Sequence, residues 1–229
     1  MPTRIAVFVA TLIPFTILAF WPRYFSRLGE VDGYTHLHAS LGGTWLLLLL
    51  TQALLMHRGR LAAHRLLGRA SYLLGPAFAV SGVLLAHHRF SRMSAEAYAV
   101  EGRFLYLPLM VSALFAAAFA LGVRWRASRA VHARFMVATA VVLVDPVFGR
   151  IMGFYLPPMP DVWYQAITFS TTAAILLGLA RSVSGGGEAG RAFRTFAVGA
   201  TVVLALFFAV PRTGAWLAFG EWFRRLPLT

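Results

Sequence analysis

The sequence predicts an all-α fold, a polytopic transmembrane helical bundle with seven spans. Two observations predict it. Apolar residues make up 59% of the 229-residue chain and charged residues only 13%, whereas about a quarter of an ordinary soluble domain is charged. Apolar runs of about 20 residues, the length that crosses a bilayer, recur along the chain. No polar stretch is long enough to form a soluble domain, so residues 1–229 are expected to form a single integral membrane domain.

The apolar runs define the spans in chain order. The first follows Arg4 and ends at Trp21-Pro22; because no small-residue cleavage site follows it, we expect an uncleaved helix rather than a signal peptide. The fifth contains Asp145-Pro146, where the proline removes a backbone donor and is expected to kink the helix. The predicted spans are residues 5–21, 36–56, 66–86, 104–123, 132–155, 163–180 and 195–211.

A short amphipathic helix is predicted after the last span. Trp216, Phe219, Phe223 and Leu226 fall on one stripe at helical spacing. Such a stripe is typical of a helix that lies on a membrane surface. A frayed tail anchored by its aromatic side chains is the alternative.

The distribution of arginine predicts the orientation. All 21 basic residues are arginine, and twelve of them lie at Arg4 and in the loops 57–69, 124–134 and 181–194. These segments share one side of the membrane, which the positive-inside rule makes cytoplasmic. The N-terminus is then inside and the C-terminus outside, in a bacterial inner membrane. Because the arginines lie in short loops between apolar runs, we expect the lipid bilayer as partner and no nucleic acid.

Asp145 is the most informative residue of the chain. It lies about 20 Å along its span from the cytoplasmic boundary, at a depth where a carboxylate is usually paired, protonated or facing a cavity. The outer ends of the second and third spans carry His36, His38, His87 and His88. One imidazole from each pair together with Asp145 would make a three-ligand site for Zn, Fe or Cu with an open position. The alternative is interfacial histidines that bond to loop backbone or headgroups.

Three charged residues are expected near this site. Arg150 is placed to reach back to Asp145 or to pair with Glu101. Arg103 opens the fourth span and is a candidate charge partner or anion binder. An ion pair that only fixes helix packing is the alternative, as is a headgroup location for Glu101 and Arg103. In a site without metal, a desolvated Asp145 would act as the proton donor.

Two further histidines, His64 and His132, open neighbouring spans on the cytoplasmic side and could hold a heme between them. Together with a pair of outer histidines they would form a transmembrane electron path. The spacing argues against such a path, because His64 and His87 are separated by about 34 Å at helical rise and would lie at the two membrane edges. The chain has no cysteine, which excludes thiolate metal sites and cysteine nucleophiles.

Several short motifs resemble a bacterial family of multi-span membrane proteins without an assigned activity. They are His36-Leu-His38, His64-Arg-Leu-Leu-Gly-Arg69, His132-Ala-Arg134-Phe-Met136 and Asp145-Pro with Arg150, within residues 34–155. The chain is also loosely similar to b-type membrane cytochromes, which likewise carry histidines at span ends. It departs from them in lacking histidines deep in its helices. The resemblance implies a shared polar site in the outer half of the bundle.

These features favour a membrane-embedded enzyme or redox protein that acts on a lipophilic substrate in its outer half. Asp145 would be an acid/base group or ligand, and His38 and His87 the candidate metal ligands. A transporter or binding protein that uses an Asp145–Arg150 pair is the first alternative. A heme-binding electron-transfer protein and an assembly factor without chemistry are the others.

Overall fold

The computed structural model describes residues 2–183 and 187–229, and within them every regular element is helical. Short 3-10 turns follow α1 and α10, and one precedes α6. The α-helices are α1 (Pro2–Phe20), α2 (Gly33–His57), α3 (Leu61–Gly68), α4 (Ser71–Ser91), α5 (Ala95–Glu101), α6 (Tyr106–Arg124), α7 (Arg129–Val141), α8 (Val144–Tyr155), α9 (Asp161–Arg181), α10 (Glu188–Ala205) and α11 (Gly214–Arg224).

Six helical segments of the described chain are long and apolar enough to cross a membrane, and a bent pair makes a seventh if it counts as one span. The prediction of an all-helical chain with several membrane-length helices is therefore confirmed. The bent pair is α3 and α4, which meet at 43°. It replaces the straight third span predicted at 66–86. The bend lies beside Gly68, whose carbonyl accepts a 2.6 Å hydrogen bond from the Ser71 hydroxyl instead of continuing the helix.

The helices form a ring around α7. Neighbours around the ring are α1, α2, α4, α6, α10, α9 and α8, and α8 closes it against α1. Helix α7 contacts α2, α6, α8, α9 and α10, and most of its residues are buried. The fifth predicted span therefore starts at the centre of the bundle and ends, as α8, in its wall.

Close helix contacts depend on small residues, as is usual in membrane bundles. A Cβ added to Gly42 of α2 would lie 2.9 Å from the Phe78 ring, and one added to Gly75 of α4 would lie 2.9 Å from the Phe119 ring. The fully buried Trp45 joins three helices. Its ring packs edge-on against Phe115 and Phe119, and its Nε1 donates a 3.1 Å hydrogen bond to Thr139 of α7.

The fifth span is interrupted where the sequence predicts a kink. Helix α7 ends at Val141 and α8 begins at Val144, two residues before Pro146. Pro146 has no N–H to donate to the carbonyl of Val142, so the backbone ladder cannot pass through this point. The interruption places Asp145 in the first turn of α8, next to the break.

The predicted C-terminal helix is present as α11, and it docks on the protein. Trp216, Phe223 and Leu226 of the predicted stripe pack against the cluster around Phe90 and Tyr98. Arg224 donates hydrogen bonds to the carbonyls of Phe90 and Met93 at 2.8 and 2.6 Å. These carbonyls lie at the C-terminal end of α4, where the helix leaves carbonyls without an internal donor. An arginine side chain thus fastens α11 to α4.

Candidate functional site

From the helix contacts and the surroundings of Arg150 we infer a hollow between α2 and α8, beside α1. Helix α1 packs extensively against both α2 and α8, whereas α2 and α8 make few contacts with each other. Arg150 of α8 lies in this hollow. Its side chain keeps accessible surface even though protein atoms surround it at longer range. These two properties together are the basis for the inferred hollow.

Arg150 links the polar groups of the two helices. Its guanidinium lies within electrostatic range of Asp145 on its own helix and of His38 on α2. Arg23 and Arg89 are also in range. Its direct contacts are a 2.8 Å hydrogen bond that it donates to the Pro146 carbonyl and a position 4.5 Å from the centre of the Phe20 ring.

Asp145 is buried, with 5% of its surface exposed, and lies about 15 Å along α8 from the end of that helix at Tyr155. Its nearest polar neighbour is Thr168 of α9, which is fully buried and whose hydroxyl donates a 3.2 Å hydrogen bond to the Gln165 carbonyl. Among the described residues no cation lies within 4 Å of its carboxylate. The sequence suggested an ion pair between Arg150 and either Asp145 or Glu101, and neither pair is within this distance.

His38 has a defined hydrogen-bond direction. Its Nδ1 lies 2.9 Å from the Ser81 hydroxyl, which donates its only proton to the Phe78 carbonyl at 2.8 Å. The neutral imidazole must therefore donate from Nδ1, which leaves an unprotonated Nε2. Such a nitrogen can accept a proton or bind a metal. The ring also stacks on Phe78, with centroids 4.9 Å apart, and this contact holds its plane.

The other outer histidines face different surroundings. His36 turns toward Tyr24, with 3.3 Å between its Nδ1 and the hydroxyl. Residues two apart on a helix point in nearly opposite directions, which separates His36 from His38. His87 contacts the Thr229 hydroxyl at 2.7 Å and packs edge-on against Phe223 of α11.

His88 belongs to an ion-pair cluster at the loop before α2. Its Nε2 lies 3.5 Å from the Asp32 carboxylate and also contacts Arg92. Asp32 caps α2 by accepting a 3.0 Å hydrogen bond from the Thr35 amide. Burial alone would raise the pKa of Asp32, but the hydrogen bonds from Thr35 and the nearby His88 lower it below its usual value. His88 is thus occupied by a structural contact.

The residues predicted as metal ligands do not converge. Within residues 2–183 and 187–229, no three His, Asp or Glu side chains are grouped closely enough to hold a metal ion. His38 lies in electrostatic range of Arg150, which is in turn in range of Asp145.

Glu101 and Arg103 each contact residues other than Asp145. Glu101 accepts a 3.0 Å hydrogen bond from Arg89 of α4, and both side chains are about half exposed. Arg103 lies over the Phe104 ring and lines a small pocket of about 40 Å³ with Phe207 and Arg212. Arg89, the partner of Glu101, also lies in electrostatic range of Arg150.

His64 and His132 come together at the opposite end of the bundle, within electrostatic range of each other. His132 donates from Nδ1 to the Gly122 carbonyl, since a carbonyl can only accept, over 2.8 Å. Its Nε2 is then the free nitrogen of the neutral ring. His64 Nδ1 is buried and has no hydrogen-bond partner among the described residues. Gln52 donates a 3.1 Å hydrogen bond to the His64 carbonyl, so its amide joins α2 to α3.

Sequence reasoning missed Thr168 and Ser81, the polar neighbours of Asp145 and His38. A signal for Thr168 was present, because Gln165, Thr168 and Thr172 recur at spacings of three and four and form a polar stripe on an apolar helix. Ser81 carries no comparable signal. Serine is common in membrane helices, and its pairing with His38 depends on how α2 and α4 are rotated.

Comparison with protein-family models, with curated proteins and with solved structures gives no match.

Proposed function

We propose that this protein is a multi-pass membrane enzyme that binds a lipophilic substrate in the hollow between α2 and α8 and moves a proton to or from it. One observation carries the proposal. Arg150 lies in the inferred hollow, in electrostatic range of both an imidazole with a free nitrogen and a buried carboxyl group. Groups of these three kinds are what proton transfer at a polarised substrate atom requires.

Each group has a role that its surroundings support. His38 accepts a proton at Nε2, because Nδ1 is used in the bond to Ser81. Asp145 exchanges a proton next to Thr168, away from bulk water. Arg150 stabilises negative charge that develops on the substrate, since no carboxylate lies within 4 Å of it in the described chain.

The arginine distribution supports a location in a bacterial inner membrane with the N-terminus inside. The hollow then opens toward the outer leaflet. The cysteine-free chain allows a direct test with single cysteines at Ser128 and Ser94, in loops on opposite sides. An impermeant thiol reagent added to intact cells should label Ser94→Cys and not Ser128→Cys. Labelling of the opposite loop would reverse the orientation.

The activity is tested by incubating the purified protein with a bacterial lipid extract in deuterium oxide, followed by untargeted mass spectrometry. We expect at least one lipophilic compound to change in amount or in deuterium content. Asp145→Leu and His38→Ala should abolish the change while the protein still inserts. His36→Ala is the matched control, because it removes an imidazole two residues away that faces Tyr24. A change that persists in Asp145→Leu would refute the proposal.

A metal-dependent form of this reaction would need Zn, Fe or Cu at His38 with ligands from the substrate or from water, since the outer histidines face apart. Elemental analysis of the purified protein tests it. Stoichiometric metal that is lost in His38→Ala would support the metal-dependent reaction. Metal that is retained in that variant would show that the metal is bound elsewhere.

A second candidate function is electron transfer through a heme held by His64 and His132. The observation that favours it is the proximity of these rings, with the His132 Nε2 left free by the bond to Gly122. Absorption spectroscopy after heme addition should show a Soret band that His64→Ala and His132→Ala remove and that His57→Ala keeps. Absence of the band in the unmodified protein would reject this function.

A further inference from the structure

Two arginines and two phenylalanines form a crossed arrangement where α1 meets α8. Arg150 of α8 lies over Phe20 of α1, with 4.5 Å between the guanidinium carbon and the ring centre. Arg23, just after α1, lies over Phe154 of α8 at 5.5 Å. Each helix thus offers a cation to the ring of the other. A guanidinium that stacks on an aromatic ring is held parallel to the ring, and its N–H groups remain available for another partner.

This arrangement has an excess of positive charge. Arg23 and Arg150 lie within electrostatic range of each other, and neither has a carboxylate within 4 Å among the described residues. Arg89 adds a third positive charge in range, although it is paired with Glu101. Like charges held together repel, so the site is complementary to an anion.

The depth of the site indicates which kind of anion. Arg150 is five residues from the end of α8, about 7–8 Å along the helix, and Arg23 lies at the end of α1. Phe20 and Phe154 place an apolar ring beside each arginine, and Trp21 next to Phe20 is exposed. An anionic group with acyl chains attached would satisfy the arginines and the apolar rings together, whereas a free ion would satisfy only the arginines.

We propose that Arg23 and Arg150 bind the phosphate group of a phosphorylated amphiphile, and that this amphiphile is the substrate of the hollow. Guanidinium groups bind phosphate oxygens through two parallel hydrogen bonds, which suits a tetrahedral anion between two arginines. The inference rests on the proposed function for the identity of the hollow as a substrate site, and it adds the chemical class of the substrate. The phosphate would anchor the molecule, and its attached group would lie toward His38 and Asp145.

The test measures binding in detergent solution through the melting midpoint of the purified full-length protein. Three probes are compared: short-chain phosphatidic acid, inorganic phosphate, and the corresponding diacylglycerol. We expect phosphatidic acid to raise the midpoint at concentrations at least about tenfold lower than inorganic phosphate does, and diacylglycerol to have no effect. Equal potency of inorganic phosphate would assign the site to a soluble anion, and a shift by diacylglycerol would assign binding to the chains; either result overturns the proposal.

Variants locate the binding. Arg23→Gln and Arg150→Gln should each weaken phosphatidic acid binding at least about tenfold, as loss of a charge-assisted hydrogen bond does. Arg150→Lys, which keeps the charge, guards against misfolding and should retain part of the affinity. Arg27→Gln is the matched control, because Arg27 is exposed and faces Glu30 at 4.0 Å. Unchanged binding in both glutamine variants would overturn the proposal.

The same assay separates this inference from the proposed function. His38→Ala and Asp145→Asn should bind phosphatidic acid normally, because neither residue belongs to the crossed arrangement. Normal binding in these variants, combined with absence of any chemical change in the deuterium experiment, would leave an anionic amphiphile site without the proposed chemistry. Chemical change with no phosphate binding would leave the chemistry and remove this substrate class.

Discussion

The Ser81 hydroxyl accepts a hydrogen bond from His38 and donates one to the Phe78 carbonyl, so these contacts fix which nitrogen of the His38 ring is unprotonated. Ser81 is buried on α4, and His38 is half-buried on α2, so the bond also joins these helices. The direction of this bond leaves Nε2 unprotonated and so makes His38 a candidate proton acceptor.

We expect Ser81→Ala to release the His38 ring. Without the serine oxygen, Nδ1 loses its acceptor and the neutral ring should populate both tautomers. Nitrogen NMR of histidine-labelled protein should show the Nδ1–H form in the unmodified chain and a mixture in the variant. Ser40→Ala, at an exposed position of α2, is the control. A ring that is already mixed before substitution would contradict the deduced bond direction.

The contact between Asp32 and His88 predicts an acid-dependent contribution to stability. The pKa of Asp32 in the folded protein is lowered below 3.8, so its charge stabilises the fold above this pH and the contribution is lost as the pH falls through the lowered value. Asp32→Asn keeps the helix cap and removes the charge. Its melting midpoint should lie below that of the unmodified protein at pH 6, and the gap should narrow as the pH falls below 3.8. A gap that is constant with pH would show that charge is not involved.

The Trp45–Thr139 hydrogen bond should contribute about 1 kcal/mol, the usual net value for one such bond. Thr139→Val and Trp45→Phe each remove one partner, and the double variant gives the coupling energy. Trp45→Ala should lower the free energy of unfolding by roughly 3–5 kcal/mol in total, because it also removes the packing on Phe115 and Phe119. Reversible unfolding in detergent with increasing denaturant measures each value. Additive single losses would show that the bond contributes nothing.

Arg224 should control the docking of α11. Its guanidinium donates to two carbonyls at the end of α4 and lies 4.1 Å from the centre of the Tyr98 ring. Arg224→Ala leaves those carbonyls without this donor, so limited proteolysis should cut the C-terminal segment at least about tenfold faster than in the unmodified protein. Arg225→Ala is the matched control, since Arg225 is 81% exposed. Equal cleavage of the two variants would rule out the fastening role.

Substitution of Gly220 should also disturb the docking of α11, by a steric clash. A Cβ added at Gly220 would clash with the Tyr98 hydroxyl. The Tyr98 ring also packs closely on Gly102, where an added Cβ would lie 2.8 Å from the ring. Tyr98 therefore has little room to move away. Gly220→Ala should expose α11 to protease as Arg224→Ala does, whereas Gly214→Ala, where an added Cβ meets open space, should not.

The helices and their lengths could be predicted because apolar runs, proline and arginine act locally. The interruption before Asp145 followed from Pro146, whose missing N–H is visible in the sequence. The bend between α3 and α4 was missed, because it depends on a hydrogen bond between Ser71 and Gly68 rather than on a change in apolar character.

The candidate site was predictable only in part. Asp145, Arg150 and His38 stood out as polar groups in apolar surroundings, and Arg150 does lie within electrostatic range of the other two. Which way each of the outer histidines faces depends on the rotation of α2 and α4 about their axes, which hydropathy does not specify. His87 is drawn to α11 by Phe223, a residue 136 positions away, and no local pattern announces such a contact.

The break between α7 and α8 has a mechanical consequence. Helix α7 is largely buried, whereas α8 belongs to the wall and is joined to α7 through two non-helical residues, so a tilt of α8 about this break would leave α7 helical. Asp145 lies next to the break and Arg150 farther along α8. A molecule that wedges α8 away from α2 would therefore swing the arginine through a larger arc than the carboxylate, and the reach between the two charges and His38 would change with occupancy.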